Sequence, residues 1–309
     1  MTIELSAMTK YWAALSSIRG VGPKTVRALV SRFGSPEKAL SASVIEIART
    51  PKLNPRLARE IVGVRRKLAG LEKFIAQVSK AGIDVLCPDS CEYPHLLKLI
   101  EDFPPILYKK GAGLPEDEAT VAIVGTRFPT SKGIEIAEVM AVELVNRGFV
   151  VVSGLARGID TAAHRGALKA GGRTLAVIGS GLKMVYPPEN YQLAGNICSN
   201  GAILSECHPN EVASGQRLIQ RNRIISGLSL GVILVEPRSG ALNTAERALE
   251  QGRCVFVYDP EKEEELSRSL SDKVFPVRGL DQLDAVAARL RALEISRAAE
   301  NEGGQMYLL

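Results

Sequence analysis

Residues 120–258 alternate between short apolar runs and longer segments with helical periodicity. The apolar runs are nearly continuous and rich in Val and Ile, which is typical of strands covered on both faces. They predict strands at Thr120–Val124, Phe149–Val152, Thr174–Ile178, Ala202–Ser205, Gly231–Val235 and Cys254–Tyr258. The intervening segments predict helices at about 132–147, 159–170, 189–200, 216–227 and 241–251. This alternation predicts an α/β fold with a doubly wound, mostly parallel sheet.

The pattern differs on either side of this core. Residues 9–62 show helical periodicity interrupted by Gly and Pro, without a predicted strand. A helix is predicted up to about Ser79, then a short strand at Ile83–Cys87, an acidic loop at Glu261–Glu265 and a last amphipathic helix at about Asp281–Arg297. We therefore divide the chain into a small all-α module (1–62), a sheet domain (63–297) and a tail (298–309).

Residues 15–30 of the helical module have the pattern of a helix-hairpin-helix element. An apolar helix end meets the turn Gly20-Val21-Gly22, and Pro23 opens the next helix. Glycines allow the amides of the turn to approach a phosphate closely, and the helix start adds oriented N–H groups. This predicts a secondary DNA-binding site that contacts the backbone, formed by Gly20, Gly22, Lys24 and Thr25. A hairpin that is only structural, or that binds protein, is the alternative.

Charge is concentrated in the same module. Residues 1–62 carry ten Lys and Arg against four Glu, whereas the rest of the chain carries 29 basic and 30 acidic residues. A basic module on a neutral body indicates a polyanionic partner, although a solvated arginine-rich surface would have the same composition.

Composition narrows the class of protein. With 46% hydrophobic and 24% charged residues, the chain is expected to be soluble and globular. No apolar run approaches the roughly 20 residues that span a bilayer, and no secretory signal is evident, so no membrane association is expected. Five irregularly spaced cysteines do not suggest a disulfide framework, which favours the reducing cytoplasm.

Glycine-rich, cationic turns follow the predicted strands. Because the carboxyl ends of parallel strands meet at one edge of a sheet, these turns are expected to surround one crevice lined by amides and cations. Such a surface binds phosphates, and its width suggests an extended polyanion or a nucleotide. The candidate DNA-binding residues are Gly125, Thr126, Arg127, Ser153, Gly154, Arg157, Gly158, Gly179, Gly181, Lys183, Arg221, Asn222, Arg223, Ser239 and Gly240.

Signatures of enzymes and metal sites are weak. The run beginning at Gly179 departs from G-x-G-x-x-G because Met184 stands at the third glycine position, and no P-loop motif occurs. His164 could be an acid–base residue, but a lone histidine in an Ala-rich helix is more often structural, and Asp160 is expected to cap that helix. Cys87, Cys91 and His95 recur every four residues, but prolines interrupt any helix that would align them. We therefore expect no metal, no cofactor and no catalytic residue.

Several short motifs occur in order between residues 64 and 258. They are Tyr93–Leu97 with Pro104–Tyr108 and Gly111, Val124–Arg127, Ser153–Asp160 with Ala163-His164, Gly181-Leu182 with Tyr186-Pro187, Arg221–Ser229, and Arg238–Gly240 with Ala248–Arg253. Together they resemble the DNA-processing protein A (DprA/Smf) family, and a helical module before the sheet domain also fits that family.

The resemblance implies an extended Rossmann-like domain with a helix-hairpin-helix, SAM-like N-terminal domain. It further implies a non-enzymatic homodimer that binds single-stranded DNA, protects incoming DNA and loads the RecA recombinase during natural transformation. Two departures limit the comparison. Many relatives have Phe-Pro before the Arg-Asn-Arg run, where this chain has Leu218-Ile219-Gln220, and many carry a C-terminal winged-helix module, where only a tail follows Arg297.

Two other functions stay open at this point. Related Rossmann families include phosphoribohydrolases that use a Gly-rich loop and a carboxylate, and Arg238–Glu246 could be interpreted in that way with Glu246 as the catalyst. An acid stabilised by the dipole of its helix is the simpler interpretation of Glu246. A purely protein-binding scaffold is the weaker alternative.

Overall fold

The computed structural model of the chain describes residues 7–114, 119–259 and 273–304. The acidic loop predicted at Glu261–Glu265 and the last five residues of the predicted tail lie outside these ranges. Across the described ranges, no helix is both long enough and apolar enough to cross a membrane.

The N-terminal module consists of short helices that begin at well-defined caps. They are α1 (Thr9–Ser16), α2 (Pro23–Phe33), α3 (Pro36–Ser41), α4 (Val44–Ala48) and α5 (Pro55–Gly63), and a 3-10 turn (Val64–Lys67) leads into α6 (Leu68–Lys80). Ser35, Ser43 and Asn54 each accept a backbone N–H of the helix that follows, and Glu46 completes a capping box with Ser43. The predicted all-α module is therefore present.

This module packs directly against the start of the sheet domain. The indole Nε1 of Trp12 donates to Oδ2 of Asp89 at 2.6 Å, and its ring meets Phe103 edge-on. One continuous apolar cluster includes Leu29 of the module and Leu204 of the sheet. The module and the sheet domain thus share a core.

Nine strands form a single sheet within the described residues, in the order β1-β2-β6-β5-β4-β3-β7-β8-β9. Every pairing from β6 to β9 is parallel, whereas β2 is antiparallel to both β1 and β6. The strands are β1 (Asp84–Leu86), β2 (Leu107–Gly111), β3 (Thr120–Gly125), β4 (Val150–Ser153), β5 (Thr174–Val177), β6 (Ala202–Ser205), β7 (Gly231–Val235), β8 (Cys254–Tyr258) and β9 (Val274–Pro276). This confirms the predicted doubly wound, mostly parallel sheet.

Helices cover both faces of the sheet. They are α7 (His95–Lys98), α8 (Ser131–Asn146), α9 (Ile159–Lys169), α10 (Tyr191–Asn200), α11 (Gly215–Gln220), α12 (Asn222–Gly227), α13 (Ser239–Glu250) and α14 (Leu283–Gly304). Strand β3 shows the alternation: Val121 and Ile123 pack into the cluster of α8, α9 and α14, while Ala122 and Val124 pack into the cluster of α12 and α13.

The structure differs from the predicted elements at a few places. Strands β2 and β9 were not predicted, the helix expected at 216–227 divides at Arg221 into α11 and α12, and the last helix extends to Gly304. Strand β2 carries Lys109, whose side chain is buried and forms ion pairs with Asp84 and Glu92. Because a buried lysine interrupts the apolar run, the hydrophobicity pattern does not indicate a strand here.

The order of strands locates the ligand-binding edge. From β3 the chain adds β4, β5 and β6 on one side, and it then returns to add β7, β8 and β9 on the other. In open α/β sheets, ligands bind beyond the carboxyl ends of the strands where the order reverses. Here that point lies between β3 and β7.

Candidate nucleic-acid interface

A cleft of about 460 Å³ opens at the switch point between β3 and β7. The turn after β3 (Gly125–Phe128) forms one wall, the start of α13 (Arg238–Ala241) forms another, and residues of α11 and α12 complete it. A smaller cleft lies beside it and shares Arg127 and Arg221 with it. This second cleft is also lined by Gly154, Arg157 and Tyr186. The two clefts form one groove along the carboxyl edge of the sheet.

The N-terminus of α9 reaches this groove but already carries an anion. The buried carboxylate of Asp160, in the first turn of α9, accepts the backbone N–H of Gly154 at 3.1 Å and that of Ala156 at 3.4 Å. Burial raises the pKa of Asp160, while Arg221 and these backbone donors act in the opposite direction. The loop predicted to bind a phosphate therefore binds a carboxylate of its own. The expectation that Asp160 caps α9 is wrong, because the N-cap is Gly158 without a side-chain bond, and Asp160 accepts N–H groups of the preceding loop instead.

The start of α8 also has a carboxylate beside it. Glu236 follows β7 with a φ of 44°, in the left-handed region, and its carboxylate accepts the backbone N–H of Thr130 at 2.9 Å as well as the Thr130 hydroxyl. Gly133 lies against this carboxylate, and a Cβ there would be 2.5 Å from Cδ of Glu236. Oγ1 of Thr130 in turn accepts the N–H of Gly133 at 2.9 Å, so Thr130 caps α8 and Glu236 holds this cap in place.

The N-terminus of α13 is open. The backbone N–H groups of Ala241 and Leu242 both donate to the carbonyl of Arg238, but those of Ser239 and Gly240 have no partner within the described chain. Both residues are exposed and line the cleft. Free N–H groups at the positive end of a helix form an anion site. The exposed side chain of Arg127, which has no ion pair among the described residues, lines the same cleft.

Nine of the predicted residues line the groove. Arg221 and Asn222 form part of its floor: both are buried, and Asn222 donates from Nδ2 to the carbonyl of Gly240 at 3.2 Å. Arg157 is half exposed and forms an ion pair with Glu189. The nine residues are Gly125, Thr126, Arg127, Gly154, Arg157, Arg221, Asn222, Ser239 and Gly240.

Arg221 has a structural role. It is buried beneath the loop after β4, where Nη1 donates to the carbonyl of Val177 at 2.9 Å and Nη2 lies 4.0 Å from Oδ2 of Asp160. Burial lowers the pKa of its guanidinium. A Cβ on Gly154 would overlap this guanidinium, so Gly154 is required for the packing of Arg221 and not only for approach by a ligand.

The structure does not bring the other six predicted residues into the groove. Arg223 is the main correction, since its buried guanidinium is held by both carboxylate oxygens of Glu206, at 2.8 and 2.6 Å, and by Asp102 at 3.3 Å. Ser153 donates to the carbonyl of Ile123 inside the core. Gly158, Gly179 and Gly181 pack closely against other segments, namely the turn after β3, α11 and the loop at residues 208–209, and Lys183 is exposed outside the lining.

The predicted hairpin site also differs from expectation. Gly20 has the left-handed φ of 90° that the turn requires, and Gly22 precedes α2 with exposed backbone. However, Nζ of Lys24 lies 2.6 Å from Oε2 of Glu101, and Arg27 donates to the carbonyl of Ile100 at 2.8 Å. The cations of this hairpin therefore contact the segment before β2, and Thr25 uses its N–H to bond Gly22 inside α2.

Two features of the groove escaped the sequence interpretation. Phe128 lines the cleft with 88% of its surface exposed, next to Arg127, and Ile219 is 52% exposed at the same cleft. The signal for Phe128 was an apolar residue placed directly in a polar turn, whereas Ile219 lies on α11. The second missed feature is the carboxylate of Glu236. It binds Thr130, which is 106 positions away, so no local sequence pattern indicates the contact.

The catalytic and metal alternatives find little support in the geometry. His164 is fully buried, its Nδ1 lies 2.7 Å from Oγ1 of Thr174, and burial lowers its pKa to about 3. Glu246 is exposed and lies in the second turn of α13, beyond the residues that line the cleft. Among the described residues, no three His, Cys, Asp or Glu side chains are grouped to hold a metal ion, Cys87, Cys91 and His95 included.

The fold and groove define a Rossmann-like protein with an open anion site at its switch point. Residues 84–274 match the family model described as DNA recombination-mediator protein A, and residues 13–66 match a SAM-like helix-hairpin-helix tandem. The chain belongs to the DNA recombination-mediator protein A family, the DprA/Smf family that its motifs resemble.

Individual relatives agree with this assignment. The chain is 40% identical over 253 residues to Protein Smf of Synechocystis sp., a match that covers 80% of this chain and 63% of that protein. It is 42% identical over 198 residues to the DNA processing protein DprA of Bacillus subtilis, covering 62% of this chain and 67% of the relative. The match thus spans just under two thirds of the Synechocystis protein.

Two solved structures share the architecture. The DprA of Streptococcus pneumoniae superposes with a TM-score of 0.74 at 32% identity, covering 89% of this chain and 97% of that one. The DprA of Helicobacter pylori, studied for its mode of binding single-stranded DNA, superposes with a TM-score of 0.57 at 26% identity, covering 68% and 96%.

Proposed function

We propose that this protein is a recombination mediator that holds single-stranded DNA along the groove at the carboxyl edge of its sheet. The observation that carries the proposal is the open N-terminus of α13, where two free N–H groups lie in the cleft that Arg127 also lines. Backbone amides and arginine bind phosphate oxygens without reading the bases. The groove is therefore expected to show little sequence selectivity.

The groove suits one flexible strand better than a duplex. Phe128 and Ile219 present apolar surface beside the anion site, where unpaired bases of a single strand would stack while its phosphates reach α13. A duplex keeps its bases stacked inside and offers nothing to these side chains. The Helicobacter pylori relative, whose structure was studied for its mode of binding single-stranded DNA, supports the same choice.

The remaining parts of the proposal derive from the family. We infer that the protein protects incoming DNA, assembles as a homodimer and loads RecA during natural transformation, acting in the cytoplasm without cofactor or catalysis. Its five unpaired cysteines are compatible with a reducing compartment. Light scattering tests the dimer, and the rate of RecA assembly on single-stranded DNA with and without the protein tests the loading step.

Fluorescence anisotropy with labelled DNA at several salt concentrations tests the groove. We expect tighter binding of a single strand than of a duplex of the same sequence. Arg127→Ala should weaken single-strand binding by about 1–3 kcal/mol, because a charge-assisted hydrogen bond to phosphate is lost. The slope of log affinity against log salt should fall by about 0.7, as expected for one phosphate contact.

Arg165→Ala provides the matched control, because Arg165 is an exposed arginine of α9 outside the lining of the groove. It should leave both affinity and slope unchanged. If the parent prefers duplex DNA, or if Arg127→Ala binds single strands like the parent, the groove is not the DNA site.

A further inference from the structure

A second basic cleft, of about 550 Å³, lies in the helical module. It forms between the end of α1, the helix α5 and the 3-10 turn that follows α5. Glu60 is the one acidic residue in its lining. Against it stand five cations, Arg19, Arg56, Arg59, Arg66 and Lys67.

Most of these cations are available to a ligand. All five side chains belong to exposed residues, and only Arg56 forms an ion pair among the described residues, with Nε 3.3 Å from Glu60. Arg59 donates from Nε to the carbonyl of Pro55 at 3.2 Å, which leaves its terminal nitrogens free. Arg65 does not line the cleft. Its guanidinium donates to the carbonyls of Leu40 and Ala42 and so takes part in the packing of the module.

The hairpin turn itself offers fewer free cations. Lys24 and Arg27 are engaged by Glu101 and by the carbonyl of Ile100, at the junction with the sheet domain. Among the described residues, cations without an ion pair are therefore grouped in the cleft beside α5 rather than at Lys24 and Arg27 of the hairpin. Like charges held this closely repel one another, so a polyanion that bridges them would bind favourably.

The lining favours a phosphodiester backbone over a protein partner. Its apolar members, Ile18 and Val64, are only 7% and 3% exposed, so the cleft presents charge without an apolar anchor. Protein interfaces are depleted of charge at their centre and enriched in exposed aromatic residues. Arginine forks, in contrast, match phosphate oxygens.

We propose that this cleft is a second DNA-backbone site, which holds a stretch of the strand beyond the part bound in the sheet groove. The inference rests on the proposed function, because it requires that the protein bind single-stranded DNA at all. It assigns the DNA contact of the helical module to Arg19, Arg59, Arg66 and Lys67 rather than to the hairpin turn.

The test compares two lengths of labelled oligo-dT, of about 8 and about 40 nucleotides, given that single-strand sites cover roughly 4–16 nucleotides. The double variant Arg19→Gln/Arg66→Gln should bind the long strand about tenfold more weakly, with a salt slope lower by about 1.4 for two lost contacts. Binding of the short strand should change less than about twofold, because the short strand occupies the sheet groove alone.

Lys38→Gln/Lys73→Gln is the control, since it removes two exposed charges outside the cleft and should bind both strands like the parent. Parental affinity and slope of the Arg19/Arg66 variant on the long strand would overturn the inference and leave the sheet groove intact. An equal loss in the control variant would also overturn it, in favour of diffuse charge. A parent that binds no single-stranded DNA would refute the proposed function, and this inference with it.

Discussion

At the scale of single residues, Arg127 and Phe128 combine two kinds of contact in one turn. Arg127 offers charge to phosphates, and Phe128 offers an exposed ring to bases within the same cleft. The two contributions have different physical signatures. A phosphate contact releases counterions and depends on salt, whereas stacking does not change the number of neutralised phosphates.

Phe128→Ala is therefore expected to weaken single-strand binding by about 1–3 kcal/mol without changing the salt slope. The ring is 88% exposed, so its removal leaves the core untouched. Anisotropy titrations at several salt concentrations provide both quantities. Phe128→Tyr, which keeps a stacking ring, should bind like the parent; a Phe128→Ala variant with parental affinity would show that bases do not stack there.

Three arginines of the candidate site show that the role of a residue cannot be assigned from the sequence around it alone. Arg127 lies in the turn after β3, and Arg221 and Arg223 lie where α11 meets α12, yet the sequence predicts the same role for each. The structure separates them, because Arg221 meets a carbonyl 44 positions away and Arg223 meets carboxylates at positions 102 and 206. The distinction between a free arginine and a buried one lies in those distant partners.

At the scale of elements, three helix starts meet at one edge of the sheet, and two of them have a carboxylate of the chain beside them. Asp160 of α9 binds N–H groups of the loop that precedes its helix, and Glu236 binds Thr130, the N-cap of α8. The first turn of α13 holds no acidic residue, and its Ser239 and Gly240 N–H groups have no partner within the described chain. We therefore expect a phosphate to bind preferentially at the start of α13.

Gly240→Asp should close this third site as well. Gly240 is the second residue of α13, and a Cβ there meets nothing within 4 Å, so the substitution fits the backbone. The new carboxylate should stabilise the helix by about 0.3–1 kcal/mol through the dipole. It should also repel DNA, and we expect single-strand affinity to fall about tenfold, that is by about 1.4 kcal/mol.

Gly240→Asn is the neutral control, with nearly the same shape as Asp. Thermal unfolding and anisotropy together give both effects. A Gly240→Asp variant that binds DNA like the Asn variant would show that the phosphate does not lie at the start of α13.

The elements themselves were largely predictable. Strands β3 to β8 are continuous apolar runs, and the observed boundaries lie within one residue of the predicted ones. Strand β2 escaped prediction because Lys109 is buried in it through ion pairs, and β9 because it is three residues long and ends in proline. The antiparallel edge formed by β1 and β2 depends on pairing between distant segments, which local periodicity does not encode.

At the scale of the whole molecule, the helical module and the sheet domain form one folded body with two basic surfaces. Trp12, Asp89 and Phe103 join the two parts through a hydrogen bond and a ring contact. The shared core should hold the sheet groove and the basic cleft in a fixed relation. A strand that occupies both surfaces would then bind with an effective concentration set by that geometry.

The stability of this folded body should decrease as the pH falls below about 6.5. His164 is fully buried against Thr174, and burial lowers its pKa to about 3, whereas an unfolded histidine titrates near 6.5. Between these values the unfolded chain binds a proton that the folded chain excludes. The contribution of His164 to stability is complete above about pH 6.5 and is lost progressively toward about pH 3. At pH 5 the loss amounts to about 2 kcal/mol.

Denaturant unfolding at pH 8 and pH 5 measures this dependence, and the variant His164→Gln isolates it. The variant keeps every other titrating group, including Asp160, whose raised pKa acts in the opposite sense because it stabilises the protein as the pH falls below its folded pKa. We expect the parent to lose about 2 kcal/mol more than the variant between the two pH values. Equal losses would mean that His164 is protonated in the folded protein, and that the buried environment around it admits a charge.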